Sequence, residues 1–235
     1  MYTTIPYRHL LTFLAMGLLL LILPQTSHSA NETAGCHCFR NRTFNAVDTF
    51  SSDEYLLTTT FNSLLASEFN ISKRQIIMLK MGEGVANDVL VTALYLAAKT
   101  GAEVSQLLKM KQQQSWQEII NRLKMDKPSS DLEKLLAFIT PDVSDEQIAE
   151  HVTTLMIFHR FSPASESVDL LRKKGLNSRE IILVNTLADH TGTPAQVIAA
   201  QNRENGLSWS EIAHNFGLTP ADVGKLLEPG ATAGE

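Results

Sequence analysis

Two stretches of the chain carry the same sequence signals about 91 residues apart, and this internal similarity constrains the fold more than any other feature. The matching segments are Thr100-Gly101 with Thr191-Gly192, Leu135-Leu136 with Leu226-Leu227, Asp88-Val89-Leu90-Val91 with Arg179-Glu180-Ile181-Ile182, and, at a spacing of 93, Ser115-Trp116-Gln117-Glu118-Ile119 with Ser208-Trp209-Ser210-Glu211-Ile212. The two tryptophans of the chain therefore occupy equivalent places. We predict two copies of one helical unit, over 72–136 and 163–227.

The apolar residues recur at the spacing of an α-helix. The first such set follows the i, i+3 and i+4 rule: Leu56, Leu57, Phe61, Leu64, Leu65 and Phe69. No run combines sustained alternation with β-branched enrichment, which is the pattern of a half-buried strand. We therefore predict an all-α fold of about ten short helices.

Helix start and stop signals are dense. Capping boxes, in which two residues satisfy each other's backbone N–H groups, are predicted at Ser72-x-x-Gln75, Ser115-x-x-Glu118 and Ser208-x-x-Glu211. Thr193-Pro194 and Thr219-Pro220 place a hydroxyl cap before a proline at the first helical position. Four glycines stand where helices should stop: Gly82, Gly101, Gly175 and Gly192. Each copy is thereby predicted to hold four helices.

Further segments surround the copies. A leading helix is predicted over 51–70 and a linking helix over 144–160. Four apolar residues share one face of the linking helix: Ile148, Val152, Leu155 and Met156. A solenoid needs three or more repeats to bury a continuous core, so two copies indicate a duplicated unit instead. The sequence leaves open whether the copies form one domain or two, and residues 228–235 are predicted to be a disordered tail.

The first 30 residues have the three parts of a secretory signal. Arg8 is their one charged side chain, Leu10 to Leu23 is an apolar run, and small residues at 27, 29 and 30 follow Pro24. We predict cleavage before or after Ala30. The alternative is an uncleaved anchor, but 14 helical residues span only about 21 Å, less than the ~30 Å of a bilayer's hydrocarbon core.

Cleavage at this position changes the charge of the protein. The full chain of 235 residues has a formal charge of −5, and the predicted mature chain has 19 basic and 25 acidic residues. Affinity for nucleic acid depends largely on clustered Lys and Arg, so this balance argues against nucleic-acid binding. We expect a periplasmic or secreted protein with no membrane span after signal removal.

The two cysteines lie together as Cys36-His37-Cys38, within an N-terminal arm predicted over 31–50. One interpretation is a strained disulfide between them. Another is a zinc or copper site at Cys36, His37 and Cys38, although a closed zinc site needs a fourth ligand. A third is an intermolecular disulfide through Cys36 or Cys38, which would join two protein chains into a dimer. Thr33-Ala34-Gly35-Cys36 also partly resembles a bacterial lipobox, which would make Cys36 a lipid anchor.

One short segment resembles a known family of motifs. Ala213, Gly217, Thr219 and Val223 occupy the places of the small crossing residue, the turn glycine, the cap and the buried residue of a helix-turn-helix. Over residues 209–227 the chain resembles sigma-factor region 4 and LuxR-type domains, and the resemblance implies two crossed helices.

The same segment lacks the residues that read DNA. A recognition helix needs Arg, Lys, Asn or Gln directed at base edges. Here the second helix offers Lys225 as its one base, and its other exposed candidates are small or acidic: Pro220, Ala221, Asp222 and Gly224. The resemblance is therefore one of shape, and we do not expect DNA binding.

No group of residues indicates an enzyme. His151 and His159 share a helix but are separated by about 12 Å of rise, too far for one metal ion. Asp189 and His190 are neighbours in the sequence and point to different sides of a helix. No HExxH, GxSxG, GxxxxGK[ST] or GxGxxG motif occurs. We expect no catalytic residues and no bound cofactor.

Trp116 and Trp209 have two interpretations. Each follows a capping serine and precedes an apolar helix, which favours packing between neighbouring helices. The alternative is that each is a surface anchor for a partner.

These observations together favour an exported, non-enzymatic helical protein that acts as an interaction or scaffold module for a protein partner. The whole chain resembles uncharacterised exported bacterial proteins with a Cys-x-Cys near the mature N-terminus. The alternatives are a small metal- or redox-handling protein that uses Cys36, His37 and Cys38, and, less favoured, a DNA-binding protein.

Overall fold

The computed structural model describes residues 41–82, 84–123 and 128–228. The predicted signal, Cys36-His37-Cys38, and residues 229–235 of the predicted tail lie outside the described residues. The described ranges contain twelve α-helices and no strand, so the predicted all-α class is confirmed. The helices are α1 (Asp53–Glu68), α2 (Lys73–Gly82), α3 (Asn87–Thr100), α4 (Val104–Lys111), α5 (Trp116–Arg122), α6 (Ser130–Phe138), α7 (Asp145–Phe161), α8 (Ser165–Lys173), α9 (Ser178–Thr191), α10 (Ala195–Arg203), α11 (Trp209–Asn215) and α12 (Pro220–Lys225).

The helix count exceeds the predicted ten because each predicted copy contains five helices instead of four. Residues 72–136 include the starts of α2 to α6, and residues 163–227 include α8 to α12. The additional helices are short, and their separate beginnings are fixed by side-chain caps. In the first range, Ser115 and Ser129 each accept a hydrogen bond from the N–H group three residues later.

Most of the predicted helix ends are formed as expected. Both partners of the capping boxes at Ser72 and Ser115 make their hydrogen bonds. At Ser208 the side chain accepts from the Glu211 N–H at 3.0 Å, which is one half of the predicted box. Gly101 and Gly192 end α3 and α9 with φ values of 75° and 70°, in the left-handed region that a side chain disfavours.

Two predicted ends differ from the structure. Pro194 is the residue before α10, not its first helical residue, because its ψ of 136° is extended. No side chain caps that helix, and the Thr193 N–H donates to Thr191 Oγ1 at 3.2 Å. At the end of α2, Gly82 is still helical and the positive φ, 63°, falls on Gly84 instead.

The leading and linking helices, α1 and α7, join the two ranges. α1 packs against α9 and α12 of the second range, and α7 packs against α3 and α6 of the first. α7 also packs against α9. Buried side chains from both ranges and from the linking helix belong to one hydrophobic core, including Leu96 of α3, Val152 of α7 and Leu183 of α9.

The contact between α1 and α12 is close because one residue lacks a side chain. A Cβ atom placed on Gly224 would lie 2.9 Å from Thr59 Cγ2 and 3.0 Å from Ser63 Oγ. Both distances are below ordinary van der Waals contact, so the backbone of α12 approaches α1 at a separation that only glycine permits at this position.

Candidate functional site

Cys36, His37 and Cys38 lie outside the described residues, so the disulfide, metal, dimer and lipid interpretations stay predictions. Within the described part of the chain, no cluster of three or more His, Cys, Asp or Glu side chains could hold a metal ion. In the same part, no helix is long and apolar enough to cross a membrane.

The histidines of the described ranges take part in separate local contacts. His151 stacks on Phe138 with ring centroids 4.4 Å apart, and burial lowers the pKa of His151. His159 Nδ1 lies 2.8 Å from Glu68 Oε2, where it joins the ends of α7 and α1. His214 stacks on Phe44 at 4.8 Å. The structure brings none of these three side chains together.

The segment that resembles a helix-turn-helix forms two short helices, α11 and α12. Ala213 is fully buried, and Gly217 has a φ of 77° in the turn between the helices. The Thr219 side chain accepts a hydrogen bond from the Asp222 N–H. Hydrogen bonds from Thr219 and Lys225 lower the pKa of Asp222 to about 2.

The second helix of this segment packs one side against the core. Pro220, Val223 and Gly224 are buried, and α12 packs against α1. Lys225 is the one basic side chain on the outward face, and it pairs with Asp222 at 3.0 Å. This packing gives no support to DNA recognition by α12.

Trp209 lies in a buried polar network that the sequence did not indicate. Its indole Nε1 donates to Glu180 Oε1 at 3.0 Å, and Arg203 Nη2 donates to Glu180 Oε2 at 2.6 Å. The Asn177 N–H donates to Glu180 Oε2 at 2.9 Å, and the Arg203 guanidinium lies 5.8 Å from the Trp209 ring centre. Glu180 is therefore a buried carboxylate with three donors, which is the condition under which a buried charge is tolerated.

Trp116 lies in the corresponding place of the first range with different neighbours. Its side chain is 1 % exposed, and its Nε1 has no acceptor among the described residues. Val89 stands at the position that matches Glu180. Lys111 Nζ lies 5.6 Å from the ring centre and pairs with Asp145 at 2.9 Å. Both tryptophans are thus in the core, and neither is available as a surface anchor.

An apolar stripe on α2 faces solvent. Met78 and Met81 are 60 % and 54 % exposed, and Ile77 beside them is partly exposed. These three residues lie at i, i+1 and i+4, on one side of the helix. The opposite side of α2 buries Ile76 against α1 and the rest of the core. We refer to Ile77, Met78 and Met81 as the α2 stripe.

The matching helix of the second range does not have this stripe. Counted from the first residue of each helix, Asp169, Leu170 and Lys173 of α8 stand where the α2 stripe stands. Two of these three residues are charged. The apolar surface is therefore specific to α2 and is not a consequence of how such a helix packs in this fold.

The charge on α2 is entirely positive. The helix contains Lys73, Arg74 and Lys80 and no acidic residue. Lys73 pairs with Glu228 at 2.8 Å, and the buried Lys80 donates to Asn62 Oδ1 at 2.8 Å. Arg74 is exposed, one turn before the α2 stripe. A basic helix in an acidic chain favours contact with an acidic surface.

Comparison with known proteins assigns the chain to no group: no protein-family model, no curated protein and no solved structure matches it.

Proposed function

We propose that the chain is an exported, non-enzymatic interaction module that binds a protein partner through the α2 stripe. The observation that carries this proposal is the exposure of Met78 and Met81 beside Ile77. Exposed apolar side chains that form one patch mark interaction surfaces more often than isolated ones do. Methionine suits this role, because its flexible thioether side chain adapts to different partner surfaces.

The chemistry of the α2 stripe defines the partner. Its apolar residues follow the spacing with which one helix contacts another, and its charged neighbours are basic. We propose an amphipathic helix whose apolar face covers Ile77, Met78 and Met81 and whose flanking acidic residues face Arg74. Three side chains make a small contact, so we expect a transient complex near the low end of interface areas.

Export of the protein is part of the proposal. It is supported by the charge, the apolar run and the small residues of the first 30 positions. Intact-mass spectrometry of the protein from its producing cells is the test. The mass of a chain that begins at Ala30 or Asn31 is expected, while a chain that retains Met1 would contradict export.

We also propose that 72–136 and 163–227 are two copies of one ancestral unit. The order of helices supports this, since five helices begin in each range and the fourth of them, α5 or α11, has seven residues in both. α3 and α9 each contain 14 residues and each end at a glycine with positive φ. α1 and α7 begin 92 residues apart, which extends the correspondence to the helices that precede each range.

Quantitative co-purification tests the binding proposal. The wild-type chain is compared with Met78→Glu/Met81→Glu and with a matched control, Leu170→Glu/Val197→Glu, which changes two other exposed apolar residues. A partner that is lost from the α2 variant and retained by the control is expected, and it must contain an acidic amphipathic helix. Equal recovery by both variants would contradict a role for α2.

A further inference from the structure

A cleft lies where the C-terminal ends of α7 and α9 meet the chain after α12. Its volume is about 300 Å³. The side chains that define its chemistry are Arg160 and Phe161 of α7, Asp189 and His190 of α9, and Leu226 and Leu227 after α12. This size is at the lower end of small-molecule sites, which combine apolar walls with a few polar groups.

Two opposite charges stand on different walls of the cleft. Arg160 and Asp189 attract each other electrostatically, but the structure shows no direct ion pair between these two described residues. Arg160 Nη2 reaches the Leu226 carbonyl oxygen at 3.5 Å, and the guanidinium lies 5.4 Å from the Phe161 ring centre. A guanidinium has five N–H donors in a planar fork that matches a carboxylate.

Asp189 is placed where a positive charge would stabilise it. It lies in the last turn of α9, where the helix dipole and the terminal carbonyl groups disfavour an anion. Burial raises the pKa of Asp189, and the charge of Arg160 opposes that effect without cancelling it. Asp189 is exposed in the cleft and forms no ion pair with another described residue, so its carboxylate is open to a ligand's ammonium group.

We infer that this cleft binds a free α-amino acid with an apolar side chain. The ligand carboxylate pairs with Arg160, its ammonium group pairs with Asp189, and its side chain lies against Phe161, Leu226 and Leu227. The two protein charges require a zwitterion because either charge alone on a ligand would leave the other wall unpaired. The volume of about 300 Å³ is large enough to hold a single amino acid.

Calorimetric titration of the full chain tests this inference without any protein partner. The probes are leucine, valine, methionine and phenylalanine, with N-acetyl-leucine and leucinamide as versions that lack one of the two charges. Binding of at least one free amino acid is expected, and its blocked versions should bind at least about tenfold more weakly. Binding of none of the four at about 10 mM, or equal binding of blocked and free forms, would overturn the inference.

Substitutions of the two charged cleft residues test whether the amino acid binds in this cleft. Arg160→Met and Asp189→Asn should each weaken binding by at least about tenfold while the helical circular dichroism stays unchanged. Arg122→Met is the matched control, because Arg122 is exposed at the end of α5 and outside the cleft, and this variant should bind like the wild type. If Asp189→Asn, which keeps the shape of the side chain, binds as tightly as the wild type, the inference is wrong.

Discussion

The indole N–H of Trp209 donates a hydrogen bond of 3.0 Å to the buried carboxylate of Glu180. The indole N–H of Trp116, at the matching place in the first range, has no acceptor in the described part of the chain. The same residue type therefore begins α5 and α11 in two different environments: the indole N–H bonds to a carboxylate in α11 and has no described acceptor in α5.

Replacement of each tryptophan by phenylalanine should show how much the hydrogen bond between Trp209 and Glu180 contributes to stability. Both changes remove similar packing, but Trp209→Phe also leaves Glu180 without one of its donors. We predict that Trp209→Phe lowers the free energy of unfolding by about 1–3 kcal/mol more than Trp116→Phe does. Urea unfolding followed by far-UV circular dichroism gives both values, and equal losses would show that the Trp209–Glu180 bond contributes nothing.

The N-terminus of α11 depends on a carboxylate from the first helix. Asp53 of α1 accepts hydrogen bonds from the Trp209 N–H at 3.0 Å, the Ser210 N–H at 2.8 Å and the Ser210 hydroxyl at 2.7 Å. Ser208 accepts from the Glu211 N–H, so the first three N–H groups of α11 all have acceptors.

Asp53→Ala should therefore destabilise the fold by about 2 kcal/mol, because it leaves two amide groups unpaired. Glu54→Ala is the control, since Glu54 is an exposed carboxylate that pairs with Arg179 at 2.7 Å. Its loss should cost less than about 1 kcal/mol. Thermal unfolding at one pH compares the two variants, and a larger loss for Glu54→Ala would contradict this role of Asp53.

Gly224 allows α12 to pack on α1, so an added methyl group should be costly. We predict that Gly224→Ala lowers the free energy of unfolding by about 1–3 kcal/mol through its contact with Thr59 Cγ2. Thr59→Ser removes that methyl group and should recover part of the loss in the double variant. Additive effects of the two changes in urea unfolding would rule out this steric explanation.

The stability of the protein should fall in mild acid because of His151. Burial holds the pKa of His151 below its ordinary value of 6.5, so the unfolded chain takes up the proton first as the pH falls. The contribution of neutral His151 is present above about pH 6.5 and decreases as the pH falls through that value towards the lower pKa of the folded state.

His151→Phe keeps a ring against Phe138 and cannot take up a proton. The loss of stability between about pH 7.5 and pH 5 should therefore be smaller in this variant than in the wild type. Unfolding free energies measured across this range provide the test. Parallel pH profiles for the two proteins would show that His151 is not responsible.

The sequence predicted the features that depend on neighbouring residues. The all-α class, the cap at Ser115, and the turn at Gly217 each follow from residues within a few positions of one another. Such signals can be found without knowing what a helix packs against. The local pattern Thr193-Pro194 nevertheless places the start of α10 one residue too early, since Pro194 is extended and no side chain caps that helix.

Contacts between distant residues could not be predicted in this way. Asp53 caps a helix that begins 156 residues later, and Glu180 sits opposite Trp209 only after the helices have packed. The α2 stripe was missed for a related reason. Ile76, Ile77, Met78 and Leu79 are consecutive apolar residues that cover every side of a helix, so the sequence does not tell which side faces solvent.

Site-specific photocrosslinking tests the proposed interaction surface most directly. A photoreactive amino acid replaces Met78 in one variant and Val197, which is similarly exposed on α10, in another, and both are made in the cells that produce the protein. We predict a discrete cross-linked partner at position 78 that is absent at position 197, with the modified segment in an acidic amphipathic helix. Identical products at both positions, or no product at position 78, would contradict binding through α2.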